Sequence, residues 1–165
     1  IKHDENTRVL VGGLGMGFTL EAALNATTDS SEVIVAELVP EVVEWNKGPL
    51  GECAERPLDS SRTKVHLGDV AELFKSKKPT YHAVLLDVDN GPEGLTRKDN
   101  DWIYSPAGLA AARSALRPGG IVAYWSAGMD SSFTHYLRKA GFQVKAETVR
   151  ARPGKGARHV IWLAW

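Results

Sequence analysis

Short runs of β-branched and aliphatic residues alternate with helix-spaced stretches along the whole of this chain, and few architectures accept that order. The runs "RVLVG" (Arg8 to Gly12), "EVIVAEL" (Glu32 to Leu38), "TKVHL" (Thr63 to Leu67), "HAVLLDV" (His82 to Val88) and "IVAYWSA" (Ile121 to Ala127) read as strands. Between them lie helical patterns: from about Gly17 to Asn25, from Pro40 until the pattern fades by Gly48, Val70 to Lys75, Pro106 to Leu116, and from Ser131 or Ser132 as cap to Ala140. Pro40 and Pro106 suit first helical positions, and "RPGG" and Gly141 suit helix ends. Strand and helix in alternation imply a mostly parallel, doubly wound Rossmann-like α/β sheet, because parallel neighbours need a crossover connection. The almost wholly apolar fourth run fits a central strand covered on both faces. "QVKAETVRA" and "HVIWLAW", joined by "RPGKGA", read as a closing hairpin and add an antiparallel edge.

At 165 residues the chain is expected to form one domain. Twenty basic and twenty acidic residues cancel, which removes any general attraction to nucleic acid or anionic membranes. No apolar run approaches the roughly 20 residues of a membrane helix. Cys53 is the sole cysteine. An internal disulfide is therefore excluded, a reducing, cytoplasmic setting is expected, and the thiol reads as buried and inert. His82, His135 and His159 share no ligand spacing with one another or with Cys53, so no metal site is expected. "KSKKP" and "RARPGKGAR" read as solvated surface, and Trp102 and Tyr104 as core packing more than a pocket roof.

In a doubly wound sheet, ligands bind beyond the carboxyl ends of the strands where the order reverses. After the first strand comes "GGLGMG", with Gly13, Gly15 and Gly17 in a strand-to-helix turn. Such a cluster is entropically costly and implies a tight bend whose backbone closely approaches a ligand. Twenty positions past Gly17 stands Glu37, where a carboxylate can accept two hydrogen bonds from a ribose diol. After the third strand, Asp69 is placed to accept from an adenine amine, although it equally suits the cap of the next helix. Asp87 ends the apolar fourth run, where an ionised carboxylate is costly unless paired or functional. Asp89 follows in "DNGP", which is also a good turn sequence. Together these four strand tips point to a bound adenosine.

The segments "VLVGGLGMG", "VIVAELVPEVVEW", "KVHLGDVAELF", "YHAVLLDVDNGP" and "IYSPAGLAAARSALRPGGIVAYWS" resemble the nucleotide-binding domain of the spermidine synthase family, the polyamine aminopropyltransferases, over about Arg8 to Ala127. That family shares the class I S-adenosylmethionine-dependent methyltransferase fold. The resemblance implies a sheet order of 3-2-1-4-5-7-6 and a co-substrate that is S-adenosylmethionine or its decarboxylated form. It implies that Gly13, Gly15 and Gly17 line the sulfonium nucleoside, Glu37 holds the ribose, Asp69 the adenine, and that Asp87, with Asp89, faces the reacting amine. Aminopropyl transfer to a small-molecule amine is the reaction it implies, with assembly as a homodimer left open. The chain also departs from the pattern. Met16 stands where the glycine loop usually carries an aspartate, "DVDNGP" is two residues shorter than the usual strand-four motif, and the family's amino-terminal β domain has no counterpart in these residues. Methyl transfer on the same scaffold, and a non-catalytic nucleoside-binding module, are the alternatives.

Overall fold

The computed structural model describes residues 6–75, 78–88, 101–152 and 155–165. Its elements run β1 (Arg8–Gly12), α1 (Phe18–Asn25), β2 (Glu32–Glu37), α2 (Pro40–Lys47), β3 (Thr63–Leu67), α3 (Val70–Phe74), β4 (Tyr81–Leu86), α4 (Asp101–Tyr104), α5 (Pro106–Ala115), β5 (Leu116–Ser126), α6 (Ser131–Lys139), β6 (Val144–Arg152) and β7 (Lys155–Ala164). They build one seven-stranded sheet of order β3-β2-β1-β4-β5-β7-β6. The first five strands pair in parallel, while β7 runs antiparallel to both β5 and β6. The expected Rossmann-like topology and its antiparallel closing hairpin are therefore both present.

Strand periodicity sorts the apolar side chains onto two faces. Val9 and Val11 of β1 and Val33 and Val35 of β2 pack with Leu20, Ala23 and Leu24 of α1 and Val43 of α2. Leu10, Ile34, Val84, Leu86, Val122 and Tyr124 point the other way, onto α3, α5 and α6 through Phe74, Leu109, Ala112, Phe133 and Leu137. Buried on both sides, β1, β2 and β4 had to be near-continuous apolar runs.

Four local expectations are corrected. Asp130, not Ser131 or Ser132, caps α6, its Oδ1 accepting from the Ser132 and Phe133 amides at 2.7 and 3.2 Å. Cys53 is exposed, not buried; it lies in a 3₁₀ turn over Pro49–Ala54 whose inward positions are Gly51 and Ala54. "RPGG" ends α5 at Ala115, and β5 begins at once, since Leu116 is already extended and pairs with Tyr81. The ladder slips there and resumes at Ala83 and Ile121, past Gly119 with φ +78°. The short helix α4 also lies where only a loop was expected.

Trp102 and Tyr104 do join the core. The Tyr104 ring lies 6.0 Å from that of Tyr124 and 5.6 Å from Phe133, and burial pushes the Tyr124 phenol well above its ordinary pKa. Among the described residues, no helix is long and apolar enough to cross a membrane, and no group of three or more His, Cys, Asp or Glu could hold a metal ion.

Candidate functional site

The sheet order reverses at β1, which pairs with β2 on one side and β4 on the other. In open α/β sheets such a reversal is where ligands bind, beyond the carboxyl ends of the strands. Backbone bonds carry the sheet ladder into the connecting loops: Gly68 N–H donates to the Glu37 carbonyl at 2.9 Å, Gly13 N–H to Ala36 at 2.9 Å, and Asp87 N–H to Gly12 at 2.8 Å. Asp69, Glu37, the glycine turn and Asp87 thus stand in one row over the tips of β3, β2, β1 and β4. Adjacent strands lie about 4.8 Å apart, so the row is roughly 14 Å long.

Within the glycine turn the three sequence-predicted positions differ. Gly13 has φ +90°, and a Cβ there would come 2.3 Å from the Asp87 carbonyl oxygen. This glycine is what lets the β1 turn lie against the end of β4. Gly15 has φ +50° and nothing within 4 Å of a would-be Cβ, so that side faces open space. Gly17, φ +88°, precedes α1 as its N-cap, and its missing side chain makes room for Pro57, Ala54 and the Asn46 amide.

Glu37 turns towards this loop. Its Oε2 accepts from the Leu14 amide at 3.0 Å, and its Oε1 accepts from the Val39 amide at 2.9 Å. The half-buried carboxylate thereby ties the β2 tip to the bend between Gly13 and Gly15. Asp69 caps α3, Oδ1 accepting from the Ala71 amide at 2.8 Å. Asp87 is exposed, and its Oδ2 accepts from the Thr19 hydroxyl at 2.8 Å. Asp89 lies outside the described residues.

Two contributors were missed from the sequence. Thr19, in the first turn of α1, aims the Asp87 carboxylate. Asn46, 1% exposed, donates through Nδ2 to the Gly15 and Val42 carbonyls, both at 2.8 Å, and so clamps the glycine turn to α2. Asn46 did carry a signal, a polar residue on the inward stripe of α2 one turn after Val43. Thr19 carried none, because its partner is 68 positions away.

The fold and this row of tips define a class I methyltransferase-like, Rossmann-type domain. One solved neighbour is human methyltransferase-like protein 13 in complex with SAH, with TM-score 0.71 and 21% identity, covering 95% of this chain and 71% of that one. Another is a spermidine synthase in complex with the transition state analogue AdoDATO, with TM-score 0.73 and 19% identity, covering 98% of this chain and 54% of that one.

In sequence the chain is similar to the polyamine aminopropyltransferase of Sulfolobus acidocaldarius, 26% identical over 123 residues, covering 74% of this chain and 39% of that protein. The resemblance read from the strand-tip motifs is supported by both comparisons, and all three of these proteins are named as transferases or synthases. The chain spans about two-fifths of the length of that curated relative. No protein-family model matches it.

Proposed function

We propose that this domain binds a sulfonium nucleoside, S-adenosylmethionine or its decarboxylated form, and transfers an alkyl group from it, with aminopropyl transfer to a small amine as the favoured reaction. One observation carries the reading: Glu37 is bonded into the glycine turn while a second carboxylate, Asp87, stands on the adjoining tip of β4. The residues suit the group. The open side of Gly15 accepts a flat ligand close to the backbone. Each Glu37 oxygen accepts one backbone amide and keeps capacity for a ribose hydroxyl. Asp69 spends Oδ1 on its cap and leaves Oδ2 for an adenine amine.

The chemistry asks little more of the chain. A sulfonium is already a good leaving group, so the protein has only to hold an acceptor in line with the carbon beside sulfur. A neutral amine attacks that carbon, the new C–N bond forms as the C–S bond breaks, and the electron pair stays on sulfur as a thioether. The acceptor arrives as an ammonium, with an ordinary pKa near 10. Asp87, fixed by Thr19, attracts that cation and takes its proton.

Methyl transfer is the second reading, and one observation favours it. The turn from Gly12 to Phe18 contains no carboxylate to hold an aminopropyl ammonium. Calorimetry with S-adenosylmethionine, its decarboxylated form and methylthioadenosine separates the readings. Tighter binding of the decarboxylated form is expected; preference for the intact methionine carboxylate moves the assignment to methyl transfer. Binding of none of the three overturns both.

A further inference from the structure

At the opposite end of the sheet from the glycine turn lies a cleft of about 620 Å³, within the usual range for small-molecule sites. It is bounded by the carboxyl end of α5, the start of β5, the turn after α6 and Trp165. The six residues of β4 alone put about 20 Å between it and Asp87, so nothing in the proposed transfer reaction uses it.

Its chemistry is one-sided. Arg113 and Arg117 line it, with Ser114 and Gln143 as further side-chain hydrogen-bonding groups, and among the described residues no aspartate or glutamate lines it. In a chain whose charges cancel, that is a local excess of positive potential in a concave site. Three other arginines are engaged: Arg8 with Glu32, Arg56 with Asp59, and Arg62 with the Thr27 and Thr28 carbonyls. Arg113 and Arg117 form no ion pair among the described residues.

The surroundings shape this end of the molecule around a guanidinium. Gly141 has φ +92°, and a Cβ there would lie 3.2 Å from Arg113 Cζ and 3.3 Å from its Nη1. The absence of a side chain at Gly141 therefore seats the Arg113 head group against the turn. The lining also includes apolar residues, Leu116, Phe142 and Trp165, of which Trp165 is 46% exposed. A planar guanidinium presents a fork of N–H donors that matches a carboxylate, phosphate or sulfonate, and an exposed indole offers a flat apolar surface.

We propose that this cleft is a second ligand site, for a small organic anion whose charged group is taken by Arg113 and Arg117 and whose planar apolar body lies against Trp165. It is independent of the nucleoside reading and stands if that reading falls.

The probe is 8-anilinonaphthalene-1-sulfonate, which carries both features. Fluorescence titration of the protein is expected to saturate at one equivalent and to weaken as sodium chloride is raised. In the Arg113→Gln/Arg117→Gln double variant, with circular dichroism unchanged, affinity is expected to fall at least tenfold. Amide chemical shifts in the unaltered protein locate the site without any substitution. Perturbations centred on Gly119, Gly120, Gly141 and the Trp165 indole support the proposal. Perturbations centred instead on the Gly13–Gly17 turn, no saturable binding, or equal affinity in the double variant would overturn it.

Discussion

Alanine at Gly13 and alanine at Gly15 look alike on paper, two residues apart in one turn, yet the structure sets them opposite tasks. At Gly13 an L side chain meets two penalties. The left-handed backbone costs about 1–2 kcal/mol, and the new methyl would sit 2.3 Å from the Asp87 carbonyl oxygen, forcing apart two backbone segments that cannot rotate away. Overpacking of that kind costs about 1–3 kcal/mol. The sum is roughly 2–5 kcal/mol, and at 2–4 °C per kcal/mol for a chain of this size the melting temperature should fall by about 4–20 °C. At Gly15 only the backbone penalty applies, because nothing lies within 4 Å of the added carbon. That variant should lose about 1–2 kcal/mol and remain folded. If a nucleoside lies over the turn, the Gly15→Ala methyl occupies its place, and the same overpacking range corresponds to binding about 5- to 150-fold weaker. Urea unfolding and calorimetry on both variants supply the two readouts. A folded Gly15→Ala protein that binds all three nucleosides with unchanged affinity would refute the placement.

Glu37→Ala removes the acceptor of two backbone amides, so nucleoside affinity should drop by about 1–3 kcal/mol, with Glu37→Gln milder; calorimetry at matched protein stability checks both, and an unaffected Kd removes Glu37 from the site. Asp87→Asn should lower turnover about 10²–10⁴-fold, the usual contribution of a general base, with nucleoside Kd nearly unchanged. Thr19→Val should lower turnover less, and the double variant should be no worse than Asp87→Asn alone. Release of methylthioadenosine followed by chromatography measures these, and an unimpaired Asp87→Asn enzyme would eliminate the proposed proton acceptor. The Tyr124 hydroxyl is buried with no hydrogen-bond partner among the described residues, so Tyr124→Phe should leave the melting temperature unchanged or raise it; a fall of several degrees in calorimetric scans would show that the hydroxyl is satisfied.

What the sequence made legible follows the range of the interactions involved. The parallel, doubly wound class of the sheet was readable because Val9, Val33 and Val84 belong to short apolar runs punctuated by helices, and both signals are local; the strand order came only from the family resemblance. Gly13 and Gly17 were readable for the same reason, since a positive φ is a property of one residue. The grip of Thr19 on Asp87 and the Asn46 clamp on Gly15 were not, because each joins elements whose proximity only the folded sheet creates. Asp130 lost to its serine neighbours by one position, a choice set by backbone geometry at the cap. Cys53 was misplaced because a 3₁₀ turn has too little periodicity to announce which side faces water.

For Asp69 and Glu37 the proposed ligand role need not compete with the structural one. Asp69 is a helix cap, and Glu37 is a staple between the β2 tip and the glycine turn; either fact would ordinarily count against a binding assignment. Yet a carboxylate has four acceptor positions. Asp69 commits one to Ala71, while Glu37 commits two to Leu14 and Val39. Those bonds hold each carboxylate in a fixed orientation before any ligand arrives, which lowers the ordering cost of binding. The same bonds predict a signature. In Glu37→Ala the loop around Leu14 loses its tether, so amide exchange at Leu14 and Val39 should accelerate even without ligand, in parallel with the loss of affinity. Exchange that stays slow while affinity falls would mean that Glu37 acts by direct contact alone, and that the turn keeps its shape by the Asn46 clamp without it.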